Sequence, residues 1–144
     1  APMLFANAIV KGTPINLFNH GQMYRDFTFV EDVAEIICKL INNPATSSNA
    51  FDKKSPDPSS SWCPHRIFNI GNNKPILLLD FVKTLERELG RKAIIKNTDM
   101  QPGDVIKTSA STNLLEEWVG IQTKTSLETG IKLFINWFKD YYKI

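Results

Sequence analysis

Arg25 and Asp26 stand together in "GQMYRDFTFVEDVAEII", at the mouth of a strongly apolar run. A guanidinium presents a planar fork of donors that matches phosphate or carboxylate oxygens, and a carboxylate accepts from hydroxyls and backbone N–H groups. Two further polar groupings sit at the ends of apolar runs: Asn69 with Gly71, and the segment "MQPGDVIKTSAS" (100–111), which carries Gln101 and Asp104. In a small α/β chain, strand ends and the loops after them are where ligands bind. An Arg-Asp pair beside a strand reads equally as a structural salt bridge, and Pro102-Gly103-Asp104 as a plain turn.

Covalent and acid–base chemistries find no residues to carry them. The seven glycines stand nine or more positions apart, so neither a dinucleotide fingerprint nor a phosphate-binding P-loop is present. No serine lies in Gly-x-Ser-x-Gly, and none of Tyr24, Tyr141 and Tyr142 is followed four residues later by lysine. His20, His65, Cys38 and Cys63 lack the paired spacing of a zinc site. No catalytic residue and no metal ligand is assigned. Seventeen basic against 15 acidic residues, net +2, give no nucleic-acid footprint. No apolar run approaches the roughly 20 residues of a membrane span, and "APMLFANAIVKG" does not read as a signal peptide. The two cysteines read as reduced thiols of a cytoplasmic protein. With 42% apolar residues, the 144-residue chain is expected to form one domain over 1–144.

The elements that must position the polar residues alternate between helix and strand. Residues 3–11 read as a helix closed by Gly12, and "PINLF" (14–18) as a strand ending in the turn Asn19-His20-Gly21. "YRDFTFV" (24–30) reads as a strand or bridge. Val30, Val33, Ala34, Ile37, Leu40 and Ile41 keep helical spacing and predict an amphipathic helix over 30–42, with Thr28 as its cap. Residues 44–64, rich in proline and serine, are expected to be a mobile surface loop. "RIFNIG" (66–71) follows as a short apolar strand. A helix with Leu78, Phe81, Val82, Leu85 and Leu89 on one face ends at Gly90. "AIIKN" (93–97) is a further strand and 112–120 a short helix. Thr125-Ser126-Leu127-Glu128 is a capping box that opens a terminal helix with Leu127, Ile131, Phe134, Ile135 and Phe138 inward. The fold class is α/β.

"RDFTFVEDV", "RIFNIGNNKPI" and "QPGDVIKTSAS", in this order and at this spacing, resemble the carboxy-terminal part of the nucleotide-sugar epimerases of the extended short-chain dehydrogenase/reductase superfamily. The resemblance runs from about Pro2 to Lys143, includes the "PDPSSS" loop and the ending "NWFKDYYK", and is nearest to the UDP-glucuronate 4-epimerases. Related dehydratases and decarboxylases share Arg-Asp-Phe and Asn-Ile-Gly.

The resemblance implies a mixed α+β substrate-binding part whose Rossmann half, with the glycine-rich turn and the tyrosine–lysine pair, is absent from this chain. It implies a fragment inactive alone, belonging to an NAD-dependent homodimeric enzyme of polysaccharide biosynthesis; NAD would be held by the amino-terminal half, and none is expected on this chain. It assigns Arg25 to the UDP diphosphate, Asp104 to the ribose hydroxyls, and Leu17 and Phe18 to uracil through backbone and ring. Gln101 occupies a place where some relatives have a second phosphate-binding arginine, and Cys63 and His65 replace the alanine and tyrosine more usual in glucuronate epimerases. The competing readings are a noncatalytic nucleotide- or protein-binding module and another sugar-nucleotide enzyme of the same superfamily.

Overall fold

The computed structural model describes all 144 residues. Five helices and four short strands follow in the order α1 (Pro2–Lys11), β1 (Ile15–Phe18), β2 (Tyr24–Arg25), α2 (Val30–Asn42), β3 (Ile76–Leu77), α3 (Leu78–Leu89), β4 (Ile95–Thr98), α4 (Asn113–Val119) and α5 (Leu127–Tyr142). Read from sequence as one domain, the chain gathers its contacts into two compact units. The first comprises Ala1–Phe27, Lys74–Ser109 and Thr125–Ile144; the second, Thr28–Asn73 and Ala110–Lys124.

In the first unit, β1 and β4 pair in parallel with Ile15 opposite Ile95 and Phe18 opposite Thr98, while β2 and β3 form a separate antiparallel pair. Parallel neighbours require a crossover connection. Helix α3 packs against both α1 and α5. Leu17 from β1, Ala6 from α1, Phe81 and Leu85 from α3, and Ile135 and Phe138 from α5 are fully or almost fully buried in one core. Phe27 stacks on Phe81 with ring centroids 4.4 Å apart and planes 7° from parallel, which fixes the chain just beyond Arg25 to that core. Gly12 and Gly90 close α1 and α3 in the left-handed conformation expected of them.

The second unit holds α2 and α4. Buried Asp32, in the first turn of α2, accepts the Lys124 N–H at 3.2 Å, and the Lys124 ammonium meets Glu35 at 2.9 Å. The Trp118 indole N–H donates to the Asn43 carbonyl at 2.9 Å, joining α4 to the end of α2.

Four local expectations are corrected. Residues 66–71 form no strand: only Arg66 makes an isolated bridge, to Ser60, because no second strand of this chain lies alongside to complete a ladder. The strand expected over 24–30 is limited to Tyr24–Arg25, since Asp26 turns its N–H to the Thr108 hydroxyl. Phe29, not Thr28, takes the cap position of α2, with no side-chain hydrogen bond. Helix α5 is capped by Ser126, which accepts from the Thr129 N–H, one residue later than the Thr125–Glu128 box predicts.

Candidate functional site

The parallel pair β1–β4 ends at Phe18 and Thr98, and both chains leave their carboxyl ends on the same side. From β1 the chain makes a single 3-10 turn at Asn19–Gly21, with Asn19 and His20 at φ 47° and 52° and Gly21 at 75°. Three consecutive left-handed residues are held by Gln22 N–H donating to the Asn19 carbonyl at 2.8 Å and by the Asn19 side-chain amide donating to the Gln22 carbonyl at 2.9 Å. Non-glycine residues in this conformation mark a turn that its surroundings over-determine. It delivers the chain into β2 and so to Arg25.

From β4 the chain passes Asp99 and Met100 into a tight turn. The Asp104 N–H donates to the Gln101 carbonyl at 3.2 Å, and Gly103 sits at φ 82°, so Pro102-Gly103 occupies the middle of a type II turn. The following residues return beside β2. Tyr24 N–H donates to the Ile106 carbonyl at 2.7 Å and Thr108 N–H to the Tyr24 carbonyl at 3.2 Å, in parallel register with Lys107.

This zipper sets Arg25 against Asp104, 79 residues further along the chain. Arg25 Nη2 lies 2.9 Å from Asp104 Oδ1, and Nη1 donates to the carbonyls of Tyr24 (2.9 Å) and Val105 (2.8 Å). The Asp104 oxygen also accepts the Val105 N–H at 2.8 Å. The side chains of Arg25 and Asp104 keep 26% and 31% of their accessible surface, so the pair is screened from water but still reachable by a ligand. Asp26 Oδ1 accepts the Lys74 N–H at 3.4 Å.

The sequence-assigned residues therefore separate into groups. Arg25 and Asp104 are in direct contact; Gln101, exposed, heads the turn that carries Asp104; Phe18, partly buried, ends the strand that feeds the other side. Leu17 is different. Its side chain is completely buried in the core, so only its main chain could meet a ligand. Asn69 is exposed and Gly71 buried in the second unit, where the Gly71 carbonyl accepts from the Thr123 hydroxyl at 2.9 Å. Sequence reasoning passed over His20, whose Nε2 lies 3.7 Å from an Asp99 carboxylate oxygen at the same strand ends. Its position directly after a predicted strand, in an Asn-His-Gly turn, was the available signal. Cys38 and Cys63 are both free. No helix is long and apolar enough to cross a membrane.

Residues 2–71 match the NAD dependent epimerase/dehydratase family. Among curated proteins, Protein CapI of Staphylococcus aureus is 40% identical over 139 residues, covering 96% of this chain and 42% of that protein. A probable UDP-glucuronate 4-epimerase of Rhizobium meliloti (strain 1021) is 38% identical over 140 residues, covering 96% and 41%. UDP-glucuronate 4-epimerase 4 of Arabidopsis thaliana is 35% identical, covering 99% and 32%. The fold matches that of UDP-glucuronic acid 4-epimerase from Bacillus cereus, solved with UDP-glucuronic acid and NAD, at a TM-score of 0.77 with 20% identity, covering 99% of this chain and 40% of that one. MoeE5, solved with UDP-glucuronic acid and NAD, aligns at 0.76 with 21% identity over 97% and 41%. The chain thus spans about two fifths of the length of the two bacterial relatives and of both solved structures.

Proposed function

We propose, from the match of residues 2–71 to the NAD dependent epimerase/dehydratase family and from the 40% and 38% identity to curated relatives, that this chain is the carboxy-terminal, nucleotide-gripping part of a UDP-sugar 4-epimerase that interconverts UDP-glucuronate and UDP-galacturonate. The observation that carries the reading is the meeting of Arg25 and Asp104 in the segments that follow β1 and β4, with Gln101 heading the turn that carries Asp104. A guanidinium fork complements a diphosphate, a carboxylate complements the vicinal hydroxyls of a ribose, and a half-buried ring complements a base.

Arg25 and Asp104 satisfy one another. A diphosphate entering beside Arg25 takes over the Nη2 donor now spent on Asp104, and the released carboxylate turns to the ribose diol. Charge is exchanged for charge, so neither group is left buried and unpaired. Arg25 keeps its hold on the Tyr24 and Val105 carbonyls through Nη1 and so stays aimed. Gln101, an uncharged donor, makes the diphosphate grip less cationic than a second arginine would.

Nothing in this chain builds the glycine-rich turn that receives a dinucleotide, nor a tyrosine–lysine pair for proton transfer. On this reading NAD, which supplies oxidation and re-reduction at the sugar C4, is held by sequence outside these 144 residues. Arg25 and Asp104 contribute binding and orientation only.

One observation favours a second reading. Arg25 already satisfies a carboxylate and two backbone carbonyls, which is what a purely structural clamp for the 104–106 segment would do. Calorimetric titration of UDP into the chain and into Asp104→Asn separates the two. Asp104→Asn keeps the shape and one acceptor, so its UDP affinity is expected to fall about tenfold with the melting temperature nearly unchanged. Unchanged affinity with a marked fall in melting temperature establishes the clamp instead.

A further inference from the structure

Thr108, partly buried, touches the chain on both sides of Arg25. Its N–H donates to the Tyr24 carbonyl at 3.2 Å, and its hydroxyl oxygen accepts the Asp26 N–H at 3.1 Å. The pairing around it is parallel: Tyr24 stands opposite Lys107, and the Tyr24 N–H donates to the Ile106 carbonyl at 2.7 Å. In a regular parallel ladder the next rung would join the Asp26 N–H to the Thr108 carbonyl. Here the side chain supplies that rung, at the point where the chain leaves β2 for Phe27 and the core. A branched Cβ confines threonine to few rotamers, so its hydroxyl replaces a main-chain acceptor without adding slack.

We infer that Thr108 is a positioning residue for the nucleotide diphosphate, acting through Arg25 and needing no contact with the ligand itself. The inference rests on the reading of Arg25 as the diphosphate-binding residue and adds what holds that arginine in place. The Tyr24 carbonyl that accepts from the Thr108 N–H also accepts from Arg25 Nη1 at 2.9 Å, so Thr108 fixes the acceptor that aims the fork. The other acceptors of Nη1, the carbonyls of Val105 at 2.8 Å and Ile106 at 3.4 Å, belong to the segment that runs into Thr108. One main-chain rung holds the residue before Arg25, and the hydroxyl rung holds the residue after it. On the opposite edge Arg25 lies across from Ile76 in β3. Without the hydroxyl, residues 25–26 are anchored to the 105–108 segment on one side of Arg25 only. A planar fork must meet two oxygens at once, so a small swing of its Cα disturbs a bidentate contact more than it would a point charge.

The test is titration of UDP, followed by nuclear magnetic resonance, into the whole chain and into Thr108→Val, Thr108→Ser, Arg25→Ala and the Arg25→Ala/Thr108→Val pair, with the melting temperature of each measured alongside. Thr108→Val, close in shape but lacking the hydroxyl, is expected to weaken UDP binding about tenfold. Thr108→Ser keeps the acceptor and is expected to stay within about twofold of the wild-type chain. In the Arg25→Ala background the valine substitution is expected to bring no further loss of affinity, because no fork is left to aim. A purely structural role lowers the melting temperature in both backgrounds and does not single out Arg25. Should valine prevent folding, Thr108→Ala takes its place in the same comparison. Wild-type affinity in Thr108→Val, an equal loss in Thr108→Ser, or the same loss with and without Arg25 overturns the inference. Unchanged UDP affinity in Arg25→Ala alone is a separate result, which removes the diphosphate reading and this inference with it.

Discussion

At the residue scale the Arg25–Asp104 contact decides how each side chain can be tested. Exposed arginine–carboxylate pairs contribute under about 1 kcal/mol, but Arg25 also donates to the carbonyls of Tyr24 and Val105 and is three-quarters buried. Hydrogen bonds to a charged group contribute roughly 1.5–3 kcal/mol, so Arg25→Ala is expected both to weaken UDP binding about 10- to 100-fold and to destabilise the chain by about 1–3 kcal/mol. Arg25→Lys restores the charge without the fork. Chemical denaturation and UDP titration of both variants are expected to show much of the stability recovered with lysine and little of the affinity; full recovery of affinity would argue against a bidentate contact. Glu86 gives a separate pH test. Burial favours its neutral form, yet hydrogen bonds from Lys92 Nζ at 2.8 Å and the Ala93 N–H at 2.9 Å outweigh this and hold its carboxyl below the ordinary 4.5. A carboxyl whose folded value is depressed adds stability above its unfolded value and loses it as pH falls through the folded one. The stability gap between the wild-type chain and Glu86→Gln should therefore be full at neutral pH and shrink below pH 4.5. A gap independent of pH would contradict the assignment.

At the scale of elements, the turn between β1 and β2 is the part that cannot be varied freely. Gly21 sits at φ 75°, and a Cβ built there would lie 2.8 Å from Leu79 Cδ2; Gly12, at φ 66°, has open space around it. Gly12→Ala should destabilise by about 1–2 kcal/mol, the strain of the left-handed backbone alone. Gly21→Ala should lose more, because Leu79 must also shift. Thermal melts of Gly21→Ala, Leu79→Ala and the double variant provide the check: the pair should be less harmful together than the sum of the singles. Strict additivity would mean that the close approach is absent. The helices were legible because their apolar spacing and glycine stops are local signals. The capping box was misplaced by one residue because Thr125 and Ser126 both carry hydroxyls, and the direction from which the chain enters α5 chooses between them.

At the scale of the whole molecule, the second unit leaves apolar surface uncovered. Val30, Ile37 and Ile41 of α2 are 70%, 47% and 72% exposed, and Ile67, in the unpaired 66–71 segment, is 54% exposed. The helical spacing of 30–42 predicts a buried stripe, yet within these 144 residues that stripe faces outward and Ile36 and Asp32 are buried instead. On the proposed reading, a Rossmann half encoded outside this stretch covers α2 and pairs with residues 66–71. Sedimentation of the chain should then show concentration-dependent self-association, relieved by Ile37→Glu with Ile41→Glu; a monomer at all concentrations would contradict it. Residue types and local periods determined by themselves the α/β class, most helices with their glycine stops, and the candidacy of Arg25 and Asp104, because these depend on neighbours within a turn or two. Tertiary structure alone decided that Arg25 meets Asp104 across 79 positions, that Leu17 is core rather than rim, that β1 pairs with β4, and that 66–71 finds no strand to join. Each of those depends on which distant segments the core brings together, and no local pattern encodes that distance.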